Sequence, residues 1–223
     1  MRNSWNGKKE GFKVIQFLLR YPEKVFVPLL QHVELTGLTL LISIVIASAL
    51  SLLLMRSRWL SQIVVGFFSA VYAIPSMALF ALLIPFFGLG EKTAVIVLVI
   101  YNQFILIRNI LNGFHSVDPS VIESAYGMGM SGLQIFFRIR LPLASPAILA
   151  GIKIASVSTI GIATIGATIN SGGLGTLLFE GLQTMNMVKI LWGTLLSSLL
   201  AVAANFLLAA LEKKARKAIN GEG

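Results

Sequence analysis

No cysteine occurs anywhere in this chain, which excludes disulfides, thiolate chemistry and cysteine-based metal sites. Charge is scarce as well: Asp, Glu, Lys and Arg make up 12% of the 223 residues, against about 25% in an average soluble domain. Only two histidines exist, His32 and His115, far apart in sequence, so a metal centre is not expected. No glycine-rich loop ends in Gly-Lys-Ser/Thr, so the chain cannot bind ATP by that route. No acidic residue lies in the middle of any long apolar run, which argues against a proton-relay or ion-coupled carrier working alone. No nucleophile–base constellation supports an enzyme. The opening stretch alternates charged and apolar residues and lacks the apolar core of a cleavable signal peptide.

What is present in excess is apolar sequence: 56% of the residues are hydrophobic and the mean hydropathy is +0.85. The net charge of +9 does not form one patch. Arg56 and Arg58, Arg138 and Arg140, and the Lys213-Lys214-Arg216-Lys217 cluster sit at the ends of apolar runs. That is the pattern of cytoplasmic loops in a membrane protein rather than of a nucleic-acid surface.

A membrane-spanning helix needs about 20 mostly apolar residues. The sequence offers five such runs: Leu35 to Met55, Trp59 to Gly90 (interrupted by Pro75 and Pro85), Thr93 to Ile110, Leu143 to Ile169 and Val188 to Leu211. An isolated segment in lipid must satisfy its own backbone, so an all-α, polytopic transmembrane protein is expected. Three regions follow: an N-terminal interfacial segment 1–32, a membrane domain 33–211 holding a polar loop 112–142, and a basic tail 212–223 that would rest on anionic headgroups. With five crossings and a cytoplasmic tail, the N-terminus falls outside. Residues 1–34 hold six Lys or Arg against three Glu, which breaks the charge rule locally but not over the chain as a whole. Residues 12–30 read as an amphipathic helix at the outer interface, with Phe12, Ile15, Leu18 and Leu19 on one face and Trp5, Phe12 and Tyr21 as anchors.

The polar loop is the most informative stretch. Asp118-Pro119 is a helix start, since Asp accepts from a free backbone N–H and Pro suits the first helical position. Glu123 complements the positive end of the helix dipole. Ile122, Ala125 and Tyr126 form a small apolar face. Gly127 and Gly129 weaken the helix and permit a bend. A second short helix is expected over residues 131–140, ended by Leu141-Pro142. Physical reading alone leaves an ordinary interfacial linker open beside a docking knob.

The order Glu123-Ser124-Ala125, three residues, Gly129, nine residues, Ile139, one residue, Leu141-Pro142 resembles the EAA loop of permease subunits of ATP-binding-cassette importers. Ser124 is the one departure, standing where that family has Ala. Ala73-Ile74-Pro75-Ser76, Val117-Asp118-Pro119-Ser120 and Gly172-Gly173-Leu174-Gly175 are similar to the permeases of osmoprotectant importers, over roughly residues 33–210. The resemblance implies a short type I importer permease fold with a cytoplasmic coupling helix in a bacterial inner membrane. It implies a cytoplasmic ATPase dimer holding ATP and Mg, a second permease subunit (identical or paralogous) and an extracellular or periplasmic solute-binding protein. The implied solutes are glycine betaine, carnitine, choline or a similar quaternary amine, with ergothioneine, methionine or another amino acid, or a bile compound as alternatives. Asp118, Glu123, Ser124, Ala125, Gly127, Gly129, Ile139, Leu141 and Pro142 would couple to the ATPase.

Polar groups at lipid depth are costly, so they face a cavity or another helix. Asn102 and Gln103 form the strongest such pair, followed by Tyr72, Tyr101, Ser156, Ser158 and Thr159; helix–helix hydrogen bonding is the competing account. A quaternary amine favours an aromatic face, which points to Tyr72 and Tyr101. Pro75 is expected to kink the second crossing, either as a moving part or as static packing. Lys153 reads as a snorkelling or loop-pairing cation, or as part of the pathway. Gly151, Ala155, Ser158, Gly161, Ala163, Gly166 and Ala167 would let helices approach closely, with packing between two permease copies as the expected use. Ser171 to Gly175 should not be helical; Gly172, Gly173 and Gly175 would form an outer gate or a seat for the binding protein, or simply a turn.

Overall fold

Long apolar runs become long helices, and among the described residues there is no strand. The computed structural model describes residues 14–220. Helix α1 covers residues 14–20. It is followed by α2 (Glu23–Leu54), α3 (Arg58–Tyr72), α4 (Ser76–Phe87), α5 (Glu91–His115), α6 (Pro119–Gly127), α7 (Gly132–Ile135), α8 (Leu141–Gly166), α9 (Leu174–Gln183) and α10 (Met187–Asn220). Four stretches are long and apolar enough to cross a membrane: Glu23–Leu54, Glu91–His115, Gly132–Ile169 and Met187–Lys217. The broken pair α3–α4, bent by 97°, makes a fifth if it is one crossing.

The boundaries depart from the sequence reading in instructive ways. The expected interfacial helix 12–30 is broken at Tyr21-Pro22, and its second half belongs to α2. Trp5 and Phe12 lie outside the described residues. At 32 residues α2 is about 48 Å long, well beyond a hydrocarbon core of about 30 Å. Helix formation tolerates His32 and Glu34, so hydropathy underestimates its length. Pro75 does not kink a continuous helix. The chain leaves the helix at Ala73-Ile74, and Pro75, with ψ 135°, starts a new one. The residue before proline avoids helical backbone, and this sets the break.

The described residues pack as two compact units, neither continuous in sequence. One takes the residues up to Thr39, Ile74–Leu98 and Ser158–Val202; the other takes Leu40–Ala73, Val99–Val157 and everything from Ala203. In the second unit α2, α5 and α8 share a core of Ala47, Leu54, Leu106, Ile107, Ile110, Ala144 and Ala155. Lipid tails are as apolar as leucine, so such helices are held by close fit rather than by expelled water. The fit is tight: a Cβ at Gly113 would lie 2.9 Å from the Ala144 carbonyl, and one at Gly151 would lie 2.5 Å from the Asn109 Cβ. The small residues of α8 therefore serve packing inside the chain. Gly151, Ala155, Ala163 and Gly166 are buried here, leaving Gly161 open.

In the first unit Leu35, Leu79, Phe80, Val97, Leu98, Leu174 and Leu177 are buried. Helix α9 begins at Leu174, inside the glycine-rich stretch expected to be non-helical. Gly175 costs helix propensity, but its place in α9 depends on having no side chain: a Cβ there would sit 2.0 Å from the Thr164 carbonyl.

Candidate functional site

The polar loop folds into an elbow. Asp118 caps α6, its carboxylate accepting from the Ser120 N–H at 2.9 Å, with Pro119 in the first helical position. That bond, joined by the Ser120 side chain, holds the Asp118 carboxyl below its ordinary value. Ser124 turns its hydroxyl back to the Ser120 carbonyl at 2.8 Å, so the residue that departs from the EAA pattern satisfies itself locally. Ile122 and Ala125 are buried with Val117 and Ile135, and Met130, Ile139 and Leu143 pack against them. Glu123 points out.

A Schellman motif ends the helix. The Met130 N–H reaches the Ala125 carbonyl at 3.1 Å, the Gly129 N–H reaches the Tyr126 carbonyl at 2.9 Å, and Gly129 has φ +81°. Its left-handed backbone, not any shortage of space, is what calls for glycine there, because nothing lies within 4 Å of a Cβ built on it. Gly127 is ordinary helix with open space around it.

The second arm differs from expectation. Ser131 and Gln134 form a capping box that starts α7, a signal present in the sequence as Ser-x-x-Gln but not read there. The helix then widens into a π turn over Phe136–Arg140 and runs directly into α8. Leu141-Pro142 therefore does not end it. Pro142 has no N–H, and its ring would press on the carbonyl one turn back in a regular helix. The π turn, with the Leu141 N–H bonded to the Phe136 carbonyl five residues back, absorbs that mismatch. The elbow's outer surface carries Val121, Tyr126, Met128, Leu133 and Phe137, all exposed. Met128 and Leu133 are each 74% exposed.

The expected pathway residues fall into separate groups. Tyr72 lies edge-on to Tyr101, with ring centroids 5.5 Å apart, and 5.2 Å from Phe104, so these three rings form one aromatic cluster. Asn102 and Gln103 are buried against α2: Asn102 Nδ2 donates to Ser43 Oγ at 3.2 Å, and Gln103 Nε2 donates to the Val99 carbonyl at 3.1 Å. Ser156 donates to the Ile152 carbonyl one turn back, and Thr159 is buried. Pro75 is exposed at the α3–α4 break. Lys153 pairs with neither the elbow nor water alone; its Nζ lies 2.6 Å from Glu212 Oε2 on α10, and Arg216 holds the other oxygen at 3.1 Å.

The glycine loop has a clamp that the sequence did not disclose. Gly172 and Gly173 have φ +77° and +80°. Gln31 Oε1 accepts from the Gly173 N–H, and His32 Nδ1 accepts from the Leu174 N–H, each at 3.3 Å. With Nδ1 an acceptor, His32 Nε2 carries the proton and donates to the Ile160 carbonyl at 3.2 Å. One fully buried imidazole thus ties α2, α8 and the loop together. A Cβ on Gly173 would lie 2.8 Å from that ring.

Known proteins match this chain over most of its length. The family described as "Binding-protein-dependent transport system inner membrane component" matches residues 23–217. The carnitine transport permease protein OpuCB of Listeria monocytogenes is 33% identical over 199 residues, 89% of this chain and 91% of the relative. The ergothioneine transport permease/ergothioneine binding protein EgtU of Helicobacter pylori (strain G27) is 43% identical over 135 residues, 60% of this chain but 24% of that longer protein. Among solved structures, a subunit of the MetNI methionine ABC transporter in an inward-facing conformation superposes with a TM-score of 0.77 at 19% identity, covering 86% of this chain and 95% of the other. That likeness establishes the fold of an ABC importer permease.

Proposed function

Because this chain belongs to the family of inner-membrane components of binding-protein-dependent transport systems, a multi-pass permease subunit working with an ATPase and a partner permease, we propose that its cargo is a small quaternary-amine osmoprotectant: glycine betaine, carnitine or choline. Relatives named for these solutes, covering most of the chain, support the choice of cargo. The observation that carries the mechanism is the elbow: a capped, Schellman-terminated helix, followed by a second arm that runs on into a crossing helix, both with apolar side chains exposed.

In this reading the ATPase grips α6 through Val121, Tyr126 and Met128, while Asp118, Gly129 and the Ile139-Leu141-Pro142 turn keep the knob rigid. Closure of two ATPases on ATP draws two elbows together, and each nucleotide state is favoured by its own contacts. Cation–π attraction suits a trimethylammonium group, and the Tyr72–Tyr101–Phe104 cluster is the place to look for it. The Gly172-Gly173 turn and the start of α9 with Gly175, held by Gln31 and His32, serve as gate or seat for a solute-binding protein. The N-terminus lies outside and the basic end of α10 in the cytoplasm.

Proteoliposomes holding this permease, its ATPase and its binding protein should take up radiolabelled carnitine or glycine betaine only with ATP. Uptake by the permease alone on an ion gradient would sink the proposal. Ergothioneine is the second reading, favoured by the 43% identity to EgtU over 135 residues. It also carries a trimethylammonium group, so calorimetric titration of the binding protein with each solute separates the two.

A further inference from the structure

One charged cavity lies apart from the residues assigned to coupling. Helix α5 carries Arg108, Asn112 and His115 one turn apart on one face, opposite Arg58, Ser61 and Gln62 of α3, around a cavity of about 410 Å³. Two permanent cations line it and, among the described residues, no carboxylate does. The ion pairs among the described residues are Lys153–Glu212, Lys189–Glu180 and Arg216–Glu212, so no described carboxylate neutralises either arginine. Arg58 is also the first residue of α3, at the positive end of the helix dipole, in a first turn with no acidic residue. A cation is disfavoured there unless an anion is near. Ser57 satisfies the Leu60 N–H, leaving the leading N–H groups of α3 for another acceptor. The Arg108 guanidinium lies over the Phe104 ring, 5.7 Å from its centroid.

Beside this polar face α3 presents a second one. Trp59, Ile63 and Phe67, spaced four residues apart, are 71%, 47% and 62% exposed. A soluble anion would use the arginines and leave this stripe bare. A phospholipid uses both, its phosphate between the guanidinium groups and its acyl chains along the stripe. We propose that the Arg58–Arg108 cavity is a binding site for an anionic phospholipid, seated at the end of α5 that leads into the elbow. The inference rests on the chain lying in a membrane, not on its solute.

The test uses the assembled importer in phosphatidylcholine vesicles doped with phosphatidylglycerol bearing a photoactivatable acyl chain, with labelled peptides mapped by mass spectrometry. Label is expected on residues 59–67. Each basic residue near a lipid surface contributes a factor of about five, so R58Q/R108Q should lower subsaturating label roughly 30-fold. R58K/R108K keeps the charge and should keep most of the label, which separates charge from misfolding. Millimolar inorganic phosphate should not compete. Equal labelling by a phosphatidylcholine probe, unchanged labelling in R58Q/R108Q, or loss of label on adding phosphate would each overturn the proposal, the last by showing a site for a soluble anion.

Discussion

Replacing Gly129 by alanine tests the elbow most directly, because Gly127, two residues away, supplies an internal control of the same chemistry. Gly129 sits at φ +81° with empty space around it, so an alanine methyl meets no neighbour and the whole cost is conformational. Left-handed backbone costs an L-residue about 1–2 kcal/mol. Gly127 lies in the helix proper, also in open space, and there alanine should gain up to about 1 kcal/mol. The two variants thus differ by about 1–3 kcal/mol in the stability of α6. At about 1.4 kcal/mol per tenfold, G129A should raise local amide exchange over residues 122–130 by roughly 5- to 30-fold, and G127A should slow it. Asparagine tolerates left-handed backbone, so G129N should fall between G129A and wild type. In proteoliposomes with the ATPase, G129A should lower solute transported per ATP hydrolysed, whereas G127A should not. If G129A and G127A exchange and transport alike, the Schellman turn is not what stiffens the elbow, and the coupling argument fails with it.

Three further outcomes follow from the geometry. Asp118 has a folded pKa below its unfolded value, so its cap stabilises α6 at and above neutral pH and is lost as pH falls through the lowered value; the exchange difference between wild type and D118A should vanish in acid, while D118N should show little pH dependence. Alanine at Gly175 would push into the Thr164 carbonyl and should cost about 1–3 kcal/mol, read as a lower melting temperature in detergent, whereas alanine at Gly161, helical and with no neighbour within 4 Å, should cost nothing and gain up to about 1 kcal/mol. Breaking the 2.6 Å Lys153–Glu212 pair with E212Q should cost about 2–3 kcal/mol, a little less than for a fully buried pair, and K153M should cost less than E212Q because Arg216 still pairs with Glu212; equal stability of E212Q and wild type, read as melting temperature in detergent, would refute the pairing.

Where the sequence was legible, the signal was local. Asp118-Pro119 and Gly129 announce their cap and their turn because each needs only its immediate neighbours. The apolar runs likewise disclose crossings, since bilayer thickness sets their minimum length. They do not disclose maximum length, and so Glu23 rather than Leu35 begins α2. Contacts made at long range left no pattern. His32 read as an isolated histidine because its partners, Ile160 and Leu174, lie 128 and 142 residues away. Glu212 read as tail for the same reason, 59 residues from Lys153. Leu141-Pro142 misled differently: proline usually stops a helix, but a π turn just before it offers another way to accommodate the missing donor.

The uninterrupted helical path from Gly132 to Ile169 constrains how this chain can change. At about 3.6 residues per turn, inserting or deleting one residue between them would swing Leu133 and Phe137 about 100° around the axis relative to Ala163. Both ends cannot then keep their neighbours. Loops absorb gained or lost residues cheaply, but this segment contains no loop. Its length should be fixed among working descendants, with changes admitted only as near-whole turns.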